Sequence, residues 1–393
     1  MEALVTPEVL KWARGKRLRL SLRQAADKLK IEADQLEAWE AGTARPSVAT
    51  LKKIAGLYKT HVSIFYLPVP PKDFQPLADY RVLPESIELD EEQSYRLSAN
   101  IGEAIDRRET ILELYELLEE LPPTITLNIS DTEELDQVVG KIHRFLDSDL
   151  SGLRQAGDEY SALSYWKRTV EDKGILVCHT SANSHLSVEL ETMRGFCIAE
   201  RPFPIIVLNS KDHPYGRIFT ILHELVHIAL GKSVIHNSDY SSLNDPALNH
   251  TEIFCNQVAA EVLVPRRELI EIFRTQTVEN DLPEMAKHFN VSREVIMRRL
   301  LTLERISQQD YKEYRARQQD EYKRFQQDRH KTKPQKGYRV DYSKRLLNVS
   351  GELLARAAFT AYHEEKITLF ELSTIFSNCD PKHLSKIRDM IFP

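Results

Sequence analysis

Along SLRQAADKL, apolar residues fall at Leu22, Ala25, Ala26 and Leu29. This is the three- and four-residue spacing of one helical face, and Ser21 is placed to cap its start. After a turn at Lys30–Ile31, EADQLEAWEAG offers Leu36 and Trp39 to a core and ends at Gly42. SVATLKKIAGLYKT forms another amphipathic helix behind Ser47. LPVPPKDFQPLADYRVLPES (Leu67–Ser86) is rich in proline and lacks a period, so it reads as a linker. The pattern turns helical again over 90–121, where a long charged helix is closed by Pro122-Pro123, and over 132–173. Three short runs rich in β-branched residues follow: GILVCHT (Gly174–Thr180), MRGFCIAE (Met193–Glu200) and PIIVLNS (Pro204–Ser210). They predict a small sheet just ahead of an apolar helix, RIFTILHELVHIALG (Arg217–Gly231). From Asn249 the chain is helical almost to its end, apart from a charged stretch over 306–336 with no sustained apolar stripe. The expected fold class is mainly α with a small β-sheet (α+β).

Composition narrows the partners. A net charge of -6 over 393 residues gives no global attraction to nucleic acid or anionic membrane, so any DNA-binding surface must be local. The four cysteines, Cys178, Cys197, Cys255 and Cys379, are scattered without a CxxC pair. That fits reduced thiols in a cytoplasmic compartment better than a disulfide framework. The N-terminal stretch MEALVTPEVLKWARGKR lacks the apolar core of a signal peptide, and no uncharged apolar run is long enough to span a bilayer.

The helix Arg217–Gly231 contains H-E-x-x-H. One helical turn separates His223 from His227, so both imidazoles project from one face and can grip one zinc ion. Glu224, beside the first of them, is placed to move a proton between water and a leaving amine. A third protein ligand is then needed, with a fourth position left for water. HTEIFCNQVAAEVLVP (His250–Pro265) supplies two carboxylates, Glu252 and Glu261, which point opposite ways on a helix. Only one of them can face the metal. Glu252 has Asn256 one turn later on its own face, a partner for a ligating group. Periodicity alone also allows Glu252 to be a solvated charge. His213, His236 and His250 are rival donors, and His236 and Tyr240 are nearby candidates for stabilising an oxyanion.

The stretch Met193–Pro265 resembles the ImmA/IrrE family of metallopeptidases. The resemblance is carried by RGFCIAE, PIIVLNS, the R-x-F-T-x-x-H-E-L-x-H helix and E-x-x-x-N-x-x-A-A-E-x-L-x-P. It implies that His223 and His227 bind zinc, that Glu224 is the catalytic base and that Glu252 is the third ligand. Val262-Leu263 stands where the family has Leu-Leu, and Val226 where it has a small residue. In H-E-x-x-H proteases a sheet edge beside the metal helix can bind substrate as an added strand; MRGFCIAE or PIIVLNS is a candidate for that edge, with an ordinary buried strand the alternative for each.

Val9–Thr60 resembles the Xre/Cro-type helix-turn-helix, on the A-A-x-x-L spacing, the W-E-x-G at Trp39–Gly42 and Arg45-Pro46. The resemblance implies that the second helix of the pair enters the major groove of double-stranded DNA, with Ala33, Asp34, Gln35 and Ala38 leading toward base edges. Lys11, Arg14, Lys16, Arg17, Arg19 and Arg23 are available to neutralise phosphates. Glu32, Asp34, Glu37 and Glu40 on the same helix oppose phosphate, which leaves a protein-interaction role open. Two later segments, Asp281–Ser307 and Ile367–Phe392, have weaker helix-turn-helix spacing.

The expected organisation is a helix-turn-helix domain at 1–66, a linker at 67–89 and a zinc peptidase domain at 90–305. A charged connection at 306–339 and a helical C-terminal domain at 340–393 complete it. That order implies a cytoplasmic zinc endopeptidase cutting a specific regulatory protein such as a repressor or antitoxin, in stress-response, phage or toxin–antitoxin settings. The other reading is a DNA-binding regulator whose metal domain senses a signal or partner without proteolysis.

Overall fold

A computed structural model describes the backbone of residues 2–17, 20–58, 60, 62–70, 90–147, 157–180, 186–236, 246–273, 278–318 and 341–392. The first helices are α1 (Pro7–Trp12), continued by a π-helical turn to Arg17, then α2 (Leu22–Leu29), α3 (Ala33–Glu40) and α4 (Val48–Leu57). Ser21 and Gln24 form a capping box at the start of α2, and Lys30 takes the left-handed turn between α2 and α3. Val9, Leu10, Leu36, Trp39, Leu51 and Ile54 fill the core of this unit. Tyr95, Ala99 and Leu186 complete that core from outside it. Of the linker, 71–89 lies outside the described residues.

The helices α5 (Glu91–Leu117), α6 (Leu135–Leu146) and α7 (Glu159–Glu171) precede the sheet. Its strands are β1 (Leu176–His179), β2 (Gly195–Ile198), β3 (Ile205–Leu208) and β4 (Val234–His236), in the order β1-β3-β2-β4. β1 runs parallel to β3, and β2 runs antiparallel to both β3 and β4. The sheet is buried on both faces, which explains its nearly continuous apolar runs. Val177, Cys197, Ile206 and Leu208 pack toward α7, α8 (Pro214–Ala229) and α9 (Pro246–Leu263). Cys178, Phe196, Ile198, Ile205 and Val207 pack toward α5 and the C-terminal helices.

After α9 come α10 (Arg266–Ile272), α11 (Val278–His288) and α12 (Arg293–Thr302). Ser292 caps α12, and Met285, Phe289, Ile296 and Leu300 are buried in the core shared with α8 and α9. This helix-turn-helix-like pair therefore closes the core around α8 and α9. A helix over 308–318 begins the charged connection, whose 319–340 portion lies outside the described residues. The chain ends in α13 (Tyr342–Ser350), α14 (Glu352–His363), α15 (Leu369–Ile375) and α16 (Pro381–Ile391). No described helix is long and apolar enough to cross a membrane.

Three expectations need correction. A fourth strand, β4, follows the motif helix. Neither MRGFCIAE nor PIIVLNS is a sheet edge, because β2 and β3 are the two inner strands and the edges are β1 and β4. The region 340–393 is not a separate core: Leu346, Leu354, Phe359, Phe376 and Ile387 share one apolar cluster with the sheet and α5. Its α13–α14 junction also caps β1. Cys178 Sγ donates to the Ser350 carbonyl at 3.2 Å, and Gly351, at φ 84°, presses against β1. A Cβ on Gly351 would lie 2.9 Å from Glu171 Oε1 and 3.3 Å from the Val177 carbonyl, so glycine is required twice over.

Candidate metal centre

α8 starts with Pro214 at its first turn, where a missing N–H costs nothing, and His213 Nδ1 accepts from Tyr215 N at 3.3 Å. Gly231, at φ 69°, lies just beyond its end. The helix approaches the sheet closely at Gly195, where a Cβ would meet Thr220 Cγ2 at 2.4 Å. Every residue from Thr220 to Ala229 is buried, so the motif side chains have fixed surroundings rather than solvent.

His223 Nε2 and His227 Nε2 lie 3.0 Å apart. Glu252 reaches across from α9, with Oε2 at 3.2 Å from His223 Nε2 and Oε1 at 3.3 Å from His227 Nε2. The two histidines and the glutamate form the one group of three or more buried donors, among the described residues, that could hold a metal ion. Burial alone would raise the Glu252 pKa, but its hydrogen bonds and charge interactions with the two imidazoles hold it well below the ordinary value. Burial depresses the pKa of His223, against the pull of Glu252 and a side-chain hydrogen bond from Asn256. The imidazole is thereby kept in the neutral form that ligates metals.

Glu224 is fully buried, with the Cys197 thiol beside its carboxylate. Burial pushes its pKa well above the ordinary value; the Cys197 thiol pulls it back and the charge of Glu252 raises it further. A carboxyl group in this state takes up and holds a proton readily.

Two rivals fall away: His213 caps α8 and His250 is exposed. The side chain of His236 and all of Tyr240 lie outside the described residues. Glu261 points elsewhere: it pairs with Arg299 and accepts from Arg266 N at 2.8 Å. Sequence reasoning missed Cys255, whose Sγ is 3.7 Å from His227 Nδ1. The available signal was its place three residues after Glu252 on the same helical face.

The DNA-contact candidates divide. Arg14 is a correction: its Nε and Nη2 each donate to Glu40 at 2.7 Å and its Nη1 donates to the Leu20 carbonyl, so it binds the domain together rather than facing phosphate. Arg23, Asp34 and Gln35 are exposed, the last two in the first turn of α3. The side chains of Lys16 and Arg17 lie outside the described residues.

Residues 170–301 match the family described as the IrrE N-terminal-like domain of peptidase M78, and residues 10–65 match the helix-turn-helix family. The two matches follow the order of a helix-turn-helix and an ImmA/IrrE-like domain. Comparison with curated proteins gives no match, and comparison with solved structures gives none. Within the ImmA/IrrE-type domain, the matched segment contains β1 to β4, α8 and α9, and hence all of His223, Glu224, His227 and Glu252.

Proposed function

We propose that this protein is a zinc-dependent endopeptidase that cuts a specific regulatory protein, a repressor or antitoxin, with Glu224 as its proton carrier. The observation that carries the reading is the convergence of His223, His227 and Glu252 beside the fully buried carboxylate of Glu224. Two imidazole nitrogens and one carboxylate suit zinc rather than the oxygen-only shells of calcium or magnesium. Ligand bonds of about 2.0–2.2 Å at tetrahedral angles put neighbouring donors about 3.3 Å apart, close to the separations found here. Bound zinc supplies Lewis acidity toward the scissile carbonyl and lowers the pKa of water.

The protein's own residues do the rest. Glu224 takes the proton released as water adds to the carbonyl carbon. It returns that proton to the amide nitrogen as the C–N bond breaks, leaving a carboxyl and an amine end. Burial keeps His223 neutral, and Glu252 and Asn256 orient its ring. Among the described residues, β4 is a sheet edge that can take an extended substrate as an added strand, while the Gly351 junction packs against β1. The helix-turn-helix would bring the peptidase to DNA-bound regulators, using Arg23 on phosphate and Gln35 and Asp34 toward bases. The four cysteines are buried and none is in a disulfide, which supports a cytoplasmic setting.

The test is Glu224→Gln in the full chain. It should retain zinc to the wild-type stoichiometry while cleavage of proteins in a lysate, mapped by new termini, falls at least about 100-fold. If the biological effect persists in that variant, the metal domain senses rather than cuts.

A further inference from the structure

α9 contributes three residues to the centre, at positions 252, 255 and 256. This i, i+3, i+4 spacing puts all three on one helical face. Glu252 is the carboxylate donor and Asn256 bonds to His223. The remaining member of the set, Cys255, faces the second imidazole, with Sγ 3.7 Å from His227 Nδ1. A histidine that presents Nε2 to a metal carries its proton on Nδ1, and the group receiving that proton fixes the tautomer and the ring's rotation. Both Cys255 and His227 are fully buried, so bulk water does not compete for that N–H.

We infer that Cys255 is a positioning residue of the metal centre, its sulfur accepting the Nδ1–H of His227 and holding that ring in register with His223 and Glu252. The inference rests on the zinc reading above. The sulfur is a polarizable acceptor, fully buried beside a centre that already holds the carboxylates of Glu252 and Glu224. One helix then sets the third donor and the rotation of both rings, so a change in the seating of α9 moves the whole donor set together.

The test compares wild type, Cys255→Ser and Cys255→Val as full-length proteins. The zinc dissociation constant is measured by chelator competition, and the visible absorption spectrum is recorded after cobalt substitution. Valine fills the space without an acceptor, whereas serine keeps an acceptor at some cost in packing. The expected result is roughly a 10-fold weaker zinc affinity and a shifted cobalt spectrum for Cys255→Val, with Cys255→Ser closer to wild type in both. Cys255→Val matching wild type, or binding better than Cys255→Ser, would overturn the inference while leaving the zinc reading intact. Failure of wild type itself to bind zinc or cobalt overturns both.

Discussion

Arg14 and Arg23 are both cations of the first domain, yet their surroundings assign them opposite work. Arg14 forms a two-pronged ion pair with Glu40, and both side chains are largely buried, at 12% and 5% exposure. Removing one partner leaves a buried charge without compensation, so Arg14→Ala should cost about 3–5 kcal/mol of stability in urea titrations. Arg23 is exposed, and Arg23→Ala should leave that stability unchanged. It should instead lower the slope of log affinity against log salt for duplex DNA by about 1. An unaltered slope would remove Arg23 from the phosphate contacts, and no salt dependence at all would favour a protein partner for α3. Spacing alone reveals His223 and His227, because four residues fix their geometry. It does not reveal Arg14 and Glu40, whose pairing depends on how helices 26 residues apart cross.

Among the elements, α8 and the strands β1 to β3 were legible because each is a strong local pattern with clear punctuation. β4 was not: it is three residues long and lies only a few residues beyond the end of α8. Strand order is a long-range property, so the edges could not be read from the runs themselves. The same limit hid the junction between α7 and α14. There Glu171 is fully buried, and its Oε1 accepts from Leu353 N at 3.1 Å. Burial pushes its pKa up to about 7, against the charge of Lys167 and the Leu353 bond; Glu352 adds to the rise and Arg356 opposes it. With the folded value above the unfolded one, the stability contributed is complete below about pH 4 and is lost as pH rises through 7. Denaturant midpoints should therefore fall between about pH 5 and pH 8. Glu171→Gln keeps an acceptor for Leu353 N and should flatten that part of the profile; an unchanged profile would clear Glu171 of the effect.

Over the whole molecule, the cores do not respect the boundaries expected from composition. The helix-turn-helix core includes Tyr95, Ala99 and Leu186, and Lys28 both pairs with Glu92 and sits 4.3 Å above the Tyr95 ring. Arg96 and Asn100 of α5 in turn hold the Ser187 and Leu186 carbonyls. A fragment of residues 1–66 should melt at a lower temperature than the same helices do within the full chain, as followed by the environment of Trp39. Equal melting would show that these contacts contribute little.

The second sheet face carries a consequence for the gene. About half of the wall on the far side of the sheet from the metal helix is built from side chains between Leu346 and Ile387. A stop codon shortly before Tyr342 would spare every residue that marks the catalytic family and still strip Phe196, Ile205 and Val207 of their cover. Truncations just ahead of Tyr342 should therefore behave genetically like losses of the H-E-x-x-H histidines.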